Sequence, residues 1–312
     1  MGAAAVRCGA LVFAGGVAGG ADDFFSRLGD ALARHGATLA DVFELTTFHA
    51  DVREIDELLA AGAVELSEPY PAWTPVGMVG PSAGGERVVG RAIACTGSGE
   101  HTTVIPDTIS WWRGRPWSAG CRRGRVVAVA GQFGTDTDGN VVMPGHHDGQ
   151  ARNALNRMKE ICSLLGSGLD DVVDVWSFHQ DPRGIEACLE VATREFFFDS
   201  FPTWAAAGAP ALYRFGMLGQ FRALAEIDER RMSVGAFEAG GDARGAFESI
   251  AALPGQLVEV VCFHKDIRDA DDVRAVSEEV LGGHDVAWTA VGMTGFQHEE
   301  SRHSIHALAV RG

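Results

Sequence analysis

Three kinds of side chain that can do chemistry recur along this sequence at a fixed spacing. The string Phe-His-x-Asp occurs three times, and its histidines are His49, His179 and His264. A tryptophan follows each histidine after 24 or 25 residues, and a basic residue follows each tryptophan after 18. An imidazole can transfer protons or bind a metal, an indole can stack on a planar ligand, and a guanidinium can hold a carboxylate. The tryptophans are Trp73, Trp204 and Trp288, and the basic residues are Arg91, Arg222 and His306.

Markers in so constant a register indicate an internal repeat. We predict three repeats, over residues 1–98, 99–230 and 231–312, with a linker at the start of the second. The second repeat is the most complete, whereas the third is shortened where a pair of strands should stand. Three independently folded domains are disfavoured, because flexible Gly/Ser linkers are missing from the sequence and each repeat is short for a hydrophobic core of its own.

The second repeat shows the pattern of elements most clearly. An apolar run begins at Arg125, a turn follows at residues 135–139, and helical spacing extends over residues 150–165. A strand and a second helix then lead to a closing apolar run at residues 221–227. The order strand, strand, helix, strand, helix, strand predicts a compact α+β unit.

This unit resembles the Rid/YjgF family of small imine and enamine deaminases. Residues 130–132, 150–154, 169–173 and 178–181 and the closing strand carry the resemblance. Rid proteins generally form homotrimers with ligand sites between subunits. The resemblance therefore implies an α+β chain of three YjgF/chorismate-mutase-like repeats, each a mixed sheet with two helices, arranged with pseudo-threefold symmetry. Fused copies can diverge, so we expect one or two working clefts, where the second repeat meets a neighbour.

The sequence departs from the family pattern at the three tryptophans. Deaminating members have an arginine there that pairs with the substrate carboxylate, and an indole cannot replace that bidentate contact. Trp73, Trp204 and Trp288 can instead stack on an aromatic or conjugated substrate. The alternative is that they pack in the core or between repeats.

The basic residues of the closing strands are a second departure. The family carries there a glutamate that positions the hydrolytic water, whereas this chain has Arg91, Arg222 and His306. We predict these three as catalytic candidates, which bind an anionic substrate or, at His306, exchange protons near neutral pH. The alternative is that they form salt bridges between repeats or at the surface.

The histidines of the repeated string admit two interpretations. If they faced the threefold axis, three imidazoles could meet in an arrangement that suits a metal. We favour local hydrogen bonds, for instance to the aspartate two residues further on, and predict no metal and no cofactor. His179 remains a substrate-binding candidate. The pair His146 and His147, in a Gly-Pro loop, is a weaker one.

Two other stretches add substrate-binding candidates. Gln132 matches a family position whose backbone helps to form the ligand pocket, and its copies are Gly16 and, less surely, Glu238. The linker, residues 98–118, holds a group of tryptophans, and the corresponding segment of Rid proteins lies near the site. Its second-rank candidates are Trp111, Trp112 and Arg113.

Composition narrows the class of partner. The chain has 26 Lys and Arg against 42 Asp and Glu, a net charge of −16, so nucleic acid is disfavoured because like charges repel. We expect no membrane association, no signal peptide, a cytoplasmic location and a monomer or homodimer. The six cysteines form no CxxC pair and are expected to be free thiols.

Three functions remain open at this point. The first is hydrolysis or deamination of a C=N or related bond in an unsaturated or aromatic, anionic small molecule at a cleft between repeats. The second is a chorismatase-like reaction on an anionic cyclic substrate, since chorismatases also look like fused Rid relatives. The third is binding of a small molecule without catalysis.

Overall fold

The computed structural model describes residues 4–80, 86–228, 230–282 and 284–312. It has three mixed β-sheets with helices packed on them, which confirms the α+β fold class. Each sheet lies within one of the three predicted repeats. Among the described residues, no helix is both long and apolar enough to cross a membrane.

The first sheet has five strands in the order β1-β2-β5-β3-β4. The strands β3 and β4 are parallel because helix α2 connects them, and the other pairs are antiparallel. The elements are β1 (Ala4–Cys8), β2 (Leu11–Gly19), α1 (Phe24–Ala33), β3 (Val42–His49), α2 (Ile55–Glu65), β4 (Ala72–Gly77) and β5 (Val88–Cys95).

The second sheet repeats this topology and adds a strand from the linker, in the order β10-β9-β11-β8-β7-β6. Its long helix α3 begins at His147, which the sequence analysis placed in a loop. The elements are β6 (His101–Val104), β7 (Gly120–Arg123), β8 (Val126–Phe133), α3 (His147–Leu164), β9 (Val172–His179), α4 (Ile185–Val191), β10 (Thr203–Gly208) and β11 (Gly219–Glu226).

The third sheet has four strands, β12-β15-β13-β14, because one strand stands where the other repeats have a pair. This is the shortening that the sequence indicates. The elements are β12 (Met232–Ala239), α5 (Arg244–Ala251), β13 (Gln256–His264), α6 (Ala270–Leu281), β14 (Ala287–Gly292) and β15 (His303–Val310).

Backbone hydrogen bonds join the three repeats head to tail. The amide of Gly77 donates to Ala211 of the second repeat at 3.2 Å, and Gly208 donates to Gly295 of the third at 2.8 Å. Gly292 closes the circle by donating to Gly80 of the first at 3.3 Å. In each case a glycine bonds to the residue that lies three places beyond the corresponding glycine of the next repeat, so the contacts follow a cyclic rule.

Close approach explains why these positions are glycine. A Cβ at Gly77 would lie 2.6 Å from the carbonyl oxygen of Ala211, and one at Gly292 would lie 3.2 Å from that of Gly80. Both distances are shorter than ordinary carbon–oxygen contact. The Trp-x-x-x-Gly spacing of the sequence therefore reflects the junctions between repeats.

An aromatic triangle lies where the three sheets meet. Phe48, Phe178 and Phe263, the phenylalanines of the repeated string, have ring centroids 6.0 Å apart in all three pairs. All three rings are buried and meet edge to face, which is a favourable aromatic geometry. Equal distances among equivalent residues indicate an approximate threefold axis through this triangle.

The aromatic triangle yields a test of stability. Replacing Phe263 by Ala should lower the free energy of unfolding by about 3–5 kcal/mol, because the two facing rings cannot close the space that is left. Urea unfolding followed by circular dichroism measures the loss. Phe215→Ala serves as the control, since that ring is 97% exposed and should be neutral. Equal stability of the two variants would contradict the shared core.

Candidate functional site

Carboxylates at equivalent strand positions face the basic residues of the closing strands. Glu44, Asp174 and Glu259 each lie five residues before the histidine of their repeat. Arg91 pairs with Glu44 of its own repeat and, at 2.6 Å, with Glu259 of the third. Burial alone would lower the pKa of Arg91, but the charges of Glu259 and Glu44 outweigh it, so the pKa is raised.

The basic residues of the other two repeats also pair with acids around the axis. Arg222 lies 3.2 Å from Asp174 of its own repeat and 3.5 Å from Glu44 of the first. The Nε2 of His306 lies 2.9 Å from Asp174 of the second repeat. Each base thus contacts the acid of the preceding repeat, and the two arginines also contact their own. We call these six residues the axial charge ring: Glu44, Arg91, Asp174, Arg222, Glu259 and His306.

The axial charge ring is closed to solvent. Arg91 and His306 are 0% exposed and Arg222 is 1% exposed. The indole of Trp176 covers them, with the guanidinium of Arg222 4.3 Å and that of Arg91 5.4 Å from its centre. None of the three bases lines a cavity described below. Their placement matches the alternative of salt bridges between repeats, and a catalytic role for them is a prediction that this geometry does not favour.

A hydroxyl side chain joins the histidine to the tryptophan in two of the three repeats. The indole N–H of Trp73 donates to Thr47 Oγ1 at 2.9 Å, and that hydroxyl is 2.9 Å from Nε2 of His49. In the second repeat Trp204 donates to Ser177 Oγ at 2.8 Å, which is 2.8 Å from Nε2 of His179. In the first and second repeats, the histidine and the tryptophan are therefore each bonded to the same hydroxyl, that of Thr47 and that of Ser177 respectively.

The third repeat has Cys262 in place of that hydroxyl. His264 instead lies 3.2 Å from His303, nitrogen to nitrogen. The three histidines thus bond within their own repeats and do not meet on the axis, where the phenylalanines lie. The expected bond to the neighbouring aspartate was wrong: Asp51, like its two counterparts, accepts the backbone amide of the arginine two residues on and pairs with that side chain.

The clefts between repeats are not equivalent. Between the first and second, Thr74 Oγ1 accepts the backbone amide of Gly131 at 2.9 Å. Between the third and first, Thr289 Oγ1 accepts that of Gly16 at 3.0 Å. The tryptophans that precede these threonines, Trp73 and Trp288, are 1% and 8% exposed. At these two junctions the indole is therefore covered by protein.

The cleft between the second and third repeats is open. Ala205 stands after Trp204 and has no hydroxyl, and Trp204 is only partly buried. A cavity of about 620 Å³ lies against this indole. Phe201 stacks on Trp204 with ring centroids 5.5 Å apart and an angle of 23°, so the wall is aromatic. Its lining also includes Thr193, Thr203, Phe237, Glu238, His298 and Ser304.

One carboxylate supplies the formal negative charge of this cavity. Glu238 accepts hydrogen bonds from the backbone amides of Gln297 and His298, both at 3.1 Å. Its Oε2 is also 3.0 Å from Nδ1 of His298. These contacts fix the carboxylate at the edge of the cavity beside an imidazole. The sequence offered little signal for this pair, because Glu238 is named there only as a copy of Gln132 and residues 293–302 share no marker residue with the equivalent segments 78–87 and 209–218.

The strand register corrects the expected copies of Gln132. Gln132 pairs with Phe221, and the equivalent residues opposite the closing strands are Val17 and Phe237. Phe237 replaces Glu238 because β8 carries a bulge that β12 does not have. Val17 replaces Gly16 because β2 carries its bulge at the same place as β8, so that Gly16 matches Gly131. Gln132 itself is fully buried and donates to the carbonyl of Ala130 at 2.8 Å.

The linker aromatics form a separate group. Trp111 stacks on Tyr213 at 6.2 Å, Trp112 lies 5.1 Å from Trp117, and the latter two indoles are 3% exposed. Arg113 lines a cavity of about 760 Å³ between the linker and the end of α2. This cavity is larger than that at Trp204 and is lined by residues of the first and second repeats, but none of the tryptophans of the repeated pattern lines it.

Comparison with known proteins agrees with this architecture. The family model described as Endoribonuclease L-PSP matches residues 113–227. The RutC family protein YjgH of Escherichia coli K12 is 31% identical over 133 residues, which are 42% of this chain and 98% of that protein. A 2-iminobutanoate/2-iminopropanoate deaminase of Dermatophagoides farinae is 29% identical over 111 residues, 36% of this chain and 82% of that enzyme.

One solved structure covers more than a single repeat. The crystal structure of a chorismatase superposes on 72% of this chain and 77% of its own, with a TM-score of 0.53 and 15% identity. At that identity the likeness concerns the fold alone. It extends the similarity beyond the second repeat.

The axial charge ring predicts a strong response to loss of one acid. Asp174→Asn removes a partner from both Arg222 and His306 in a site without solvent, so we expect a loss of about 3–5 kcal/mol in unfolding free energy. Asp107→Asn is the control, because its carboxylate pairs with an arginine at the surface and is 94% exposed. Urea unfolding that finds D174N as stable as the control would contradict the ring.

Burial of His49 predicts a dependence of stability on pH. Desolvation lowers the pKa of His49 to about 3, whereas the unfolded chain binds this proton near pH 6.5. Its contribution is therefore present above pH 6.5 and lost as the pH falls below it, by about 1.4 kcal/mol between pH 7.5 and 5.5. In His49→Gln the fall in unfolding free energy should be smaller by that amount.

The control for this measurement is His284→Gln, which alters an exposed histidine. Its pH dependence should follow that of the parent chain. An unchanged slope in the His49 variant would contradict a neutral, buried imidazole at this position.

Proposed function

Since the chain belongs to the Rid/YjgF family, we propose that it hydrolyses the C=N bond of a planar, unsaturated small molecule in the cleft between its second and third repeats. At two of the three equivalent junctions a threonine bonds to the neighbouring backbone and the indole beside it is buried. The cleft between the second and third repeats alone among them combines a partly exposed indole with a carboxylate and an imidazole. That combination is the observation that carries the proposal.

Trp204 and Phe201 provide the binding surface. Their stacked rings form a flat apolar wall, and conjugated molecules gain dispersion energy by lying against such a wall. The bond from the Trp204 indole to Ser177 fixes the ring plane. The cleft therefore favours ligands with an extended π system over short aliphatic imino acids.

Glu238 is the group that we propose activates water. A carboxylate held by two backbone amides is positioned before substrate arrives, and general bases of this kind contribute roughly 10²–10⁴ in rate. In the step, water attacks the imine carbon while Glu238 takes its proton and passes it to the nitrogen, which gives a carbinolamine. Glu238 then takes the hydroxyl proton as the carbonyl forms and the C–N bond breaks, and it delivers this proton to the nitrogen, which leaves as ammonia. His298, whose Nδ1 lies 3.0 Å from Oε2, orients the carboxylate.

The charge of the cleft revises the expected substrate. No Lys or Arg is among its described lining residues, and Glu238 is its one acid. A neutral or cationic imine or conjugated amine therefore fits better than the anionic substrate expected from Arg91 and Arg222. A chorismatase-like reaction is the second candidate, supported by the shared fold over 72% of the chain. Its dicarboxylate substrate would meet Glu238 unfavourably.

Kinetics of a Glu238→Gln variant test the proposal. With a panel of aryl-conjugated imines and amines, we expect ammonia release by the parent chain and a loss of 10²-fold or more in kcat in E238Q, while KM changes little. Glu300→Gln is the matched control, an exposed acid of the neighbouring loop that does not line the cleft.

Other outcomes separate the alternatives. Pyruvate release from chorismate would support the second candidate. Quenching of Trp204 fluorescence by a panel member without ammonia release would indicate a binding protein. Full activity of E238Q would contradict the assigned base.

A further inference from the structure

Three metal-binding side chains converge behind the cleft at a place that no part of the proposed reaction uses. His147 is the first residue of α3, His179 the last of β9, and Cys188 lies in α4. One ligand atom from each lies within 4.8 Å of the others. His179 is 0% and Cys188 1% exposed, while His147 is partly buried.

The nitrogens that would bind a metal have no other partner among the described residues. The Nδ1 atoms of His147 and His179 are both buried without a hydrogen bond. An unpaired buried polar atom is costly, so each such atom needs a physical reason. The other ring nitrogen of His179 lies 2.8 Å from Ser177 Oγ, so Nδ1 is the nitrogen left to bind a metal.

The first repeat has no counterpart of this cluster. His49 holds the same position and makes the same hydroxyl contact, and its Nδ1 is also unpaired. Where the second repeat has Cys188 in the fourth position of its helix, the first has Leu58. Gly184 stands where the first repeat has Glu54, and any side chain there would overlap the imidazole of His147. Gly184 is therefore required for this cluster.

We propose that His147, His179 and Cys188 bind one Zn²⁺ ion, with water as the fourth ligand. Two imidazole nitrogens and a thiolate are ligands that zinc prefers in tetrahedral sites. Ligand atoms in such a site lie roughly 3.5 Å apart, so the three groups must close by about 1 Å, within the reach of small side-chain rotations.

Binding of the ion would couple to the thiol proton. Burial raises the pKa of Cys188 to about 12, so the empty site holds a thiol, whose Sγ lies 3.7 Å from the carbonyl of His147. Zinc displaces this proton and leaves a thiolate bonded to the metal. The ion would tie α3, β9 and α4 together and, through Ser177, fix the indole of Trp204.

Titration of the untagged, chelator-treated chain with Zn²⁺ tests the site. We expect one ion per chain by calorimetry and a rise in melting temperature on binding. Co²⁺ in its place should give the intense d–d absorption of a tetrahedral site and a thiolate charge-transfer band. Cys188→Ser should lose the band and at least 100-fold in affinity, and Ser177→Ala should lose 10–100-fold.

Two controls keep the result interpretable. Cys95→Ser alters a thiol outside the cluster, and His49→Gln alters the matching histidine of the first repeat, so both should bind zinc like the parent chain. Far-UV circular dichroism checks that C188S is folded, and Cys188→Ala repeats the test. Absence of stoichiometric binding, or equal binding by folded C188S or C188A, would overturn the site, whatever the outcome of the ammonia assay.

Discussion

Alternating charges buried around an axis are the interaction on which this molecule depends. Each base of the axial charge ring reaches the acid of the preceding repeat, so no repeat satisfies its own charges completely. Removing one member would leave its partners ionised in a place that water does not reach, which is far more costly than losing a surface ion pair. The ring therefore requires all three sheets to be present in one arrangement. The aromatic triangle and the glycine junctions extend the same cyclic rule to apolar and backbone contacts.

Fusion of the repeats explains why equivalent positions have different tasks. The junctions differ in one hydroxyl, since Thr74 and Thr289 bond to the facing backbone and Ala205 cannot. The missing bulge in β12 removes the backbone amide that a threonine would need there. The second repeat consequently keeps a partly exposed indole, that of Trp204, on one face of β10. His179, on the adjacent strand β9, lies beside Cys188, and the matching positions of the other repeats hold Leu58 and Val273.

Much of the fold could be predicted from the sequence because the markers are junction residues. Phe48, His49 and their counterparts recur because they lie at the axis and in hydrogen-bonded chains, so their spacing indicated three repeats. The order of the elements and the family resemblance indicated the α+β fold. The roles of the basic residues could not be predicted in the same way. Arg91 meets Glu259 across 168 residues, and only the closed arrangement of sheets brings them together. The acids do recur five residues before each histidine, a signal that would have indicated internal pairing. Glu238 is named in the sequence analysis only as a copy of Gln132, and His298 has no histidine at the matching positions of the other repeats, so the repeat pattern did not mark the pair.

A crystal structure of the chain soaked with a small aromatic amine tests the central claim most directly. The account predicts one molecule per chain, stacked on Trp204 between the second and third repeats, with the indoles of Trp73 and Trp288 covered by protein. Density for the amine beside Trp73 or Trp288, or an arrangement of the three sheets in which Phe48, Phe178 and Phe263 do not meet, would contradict it.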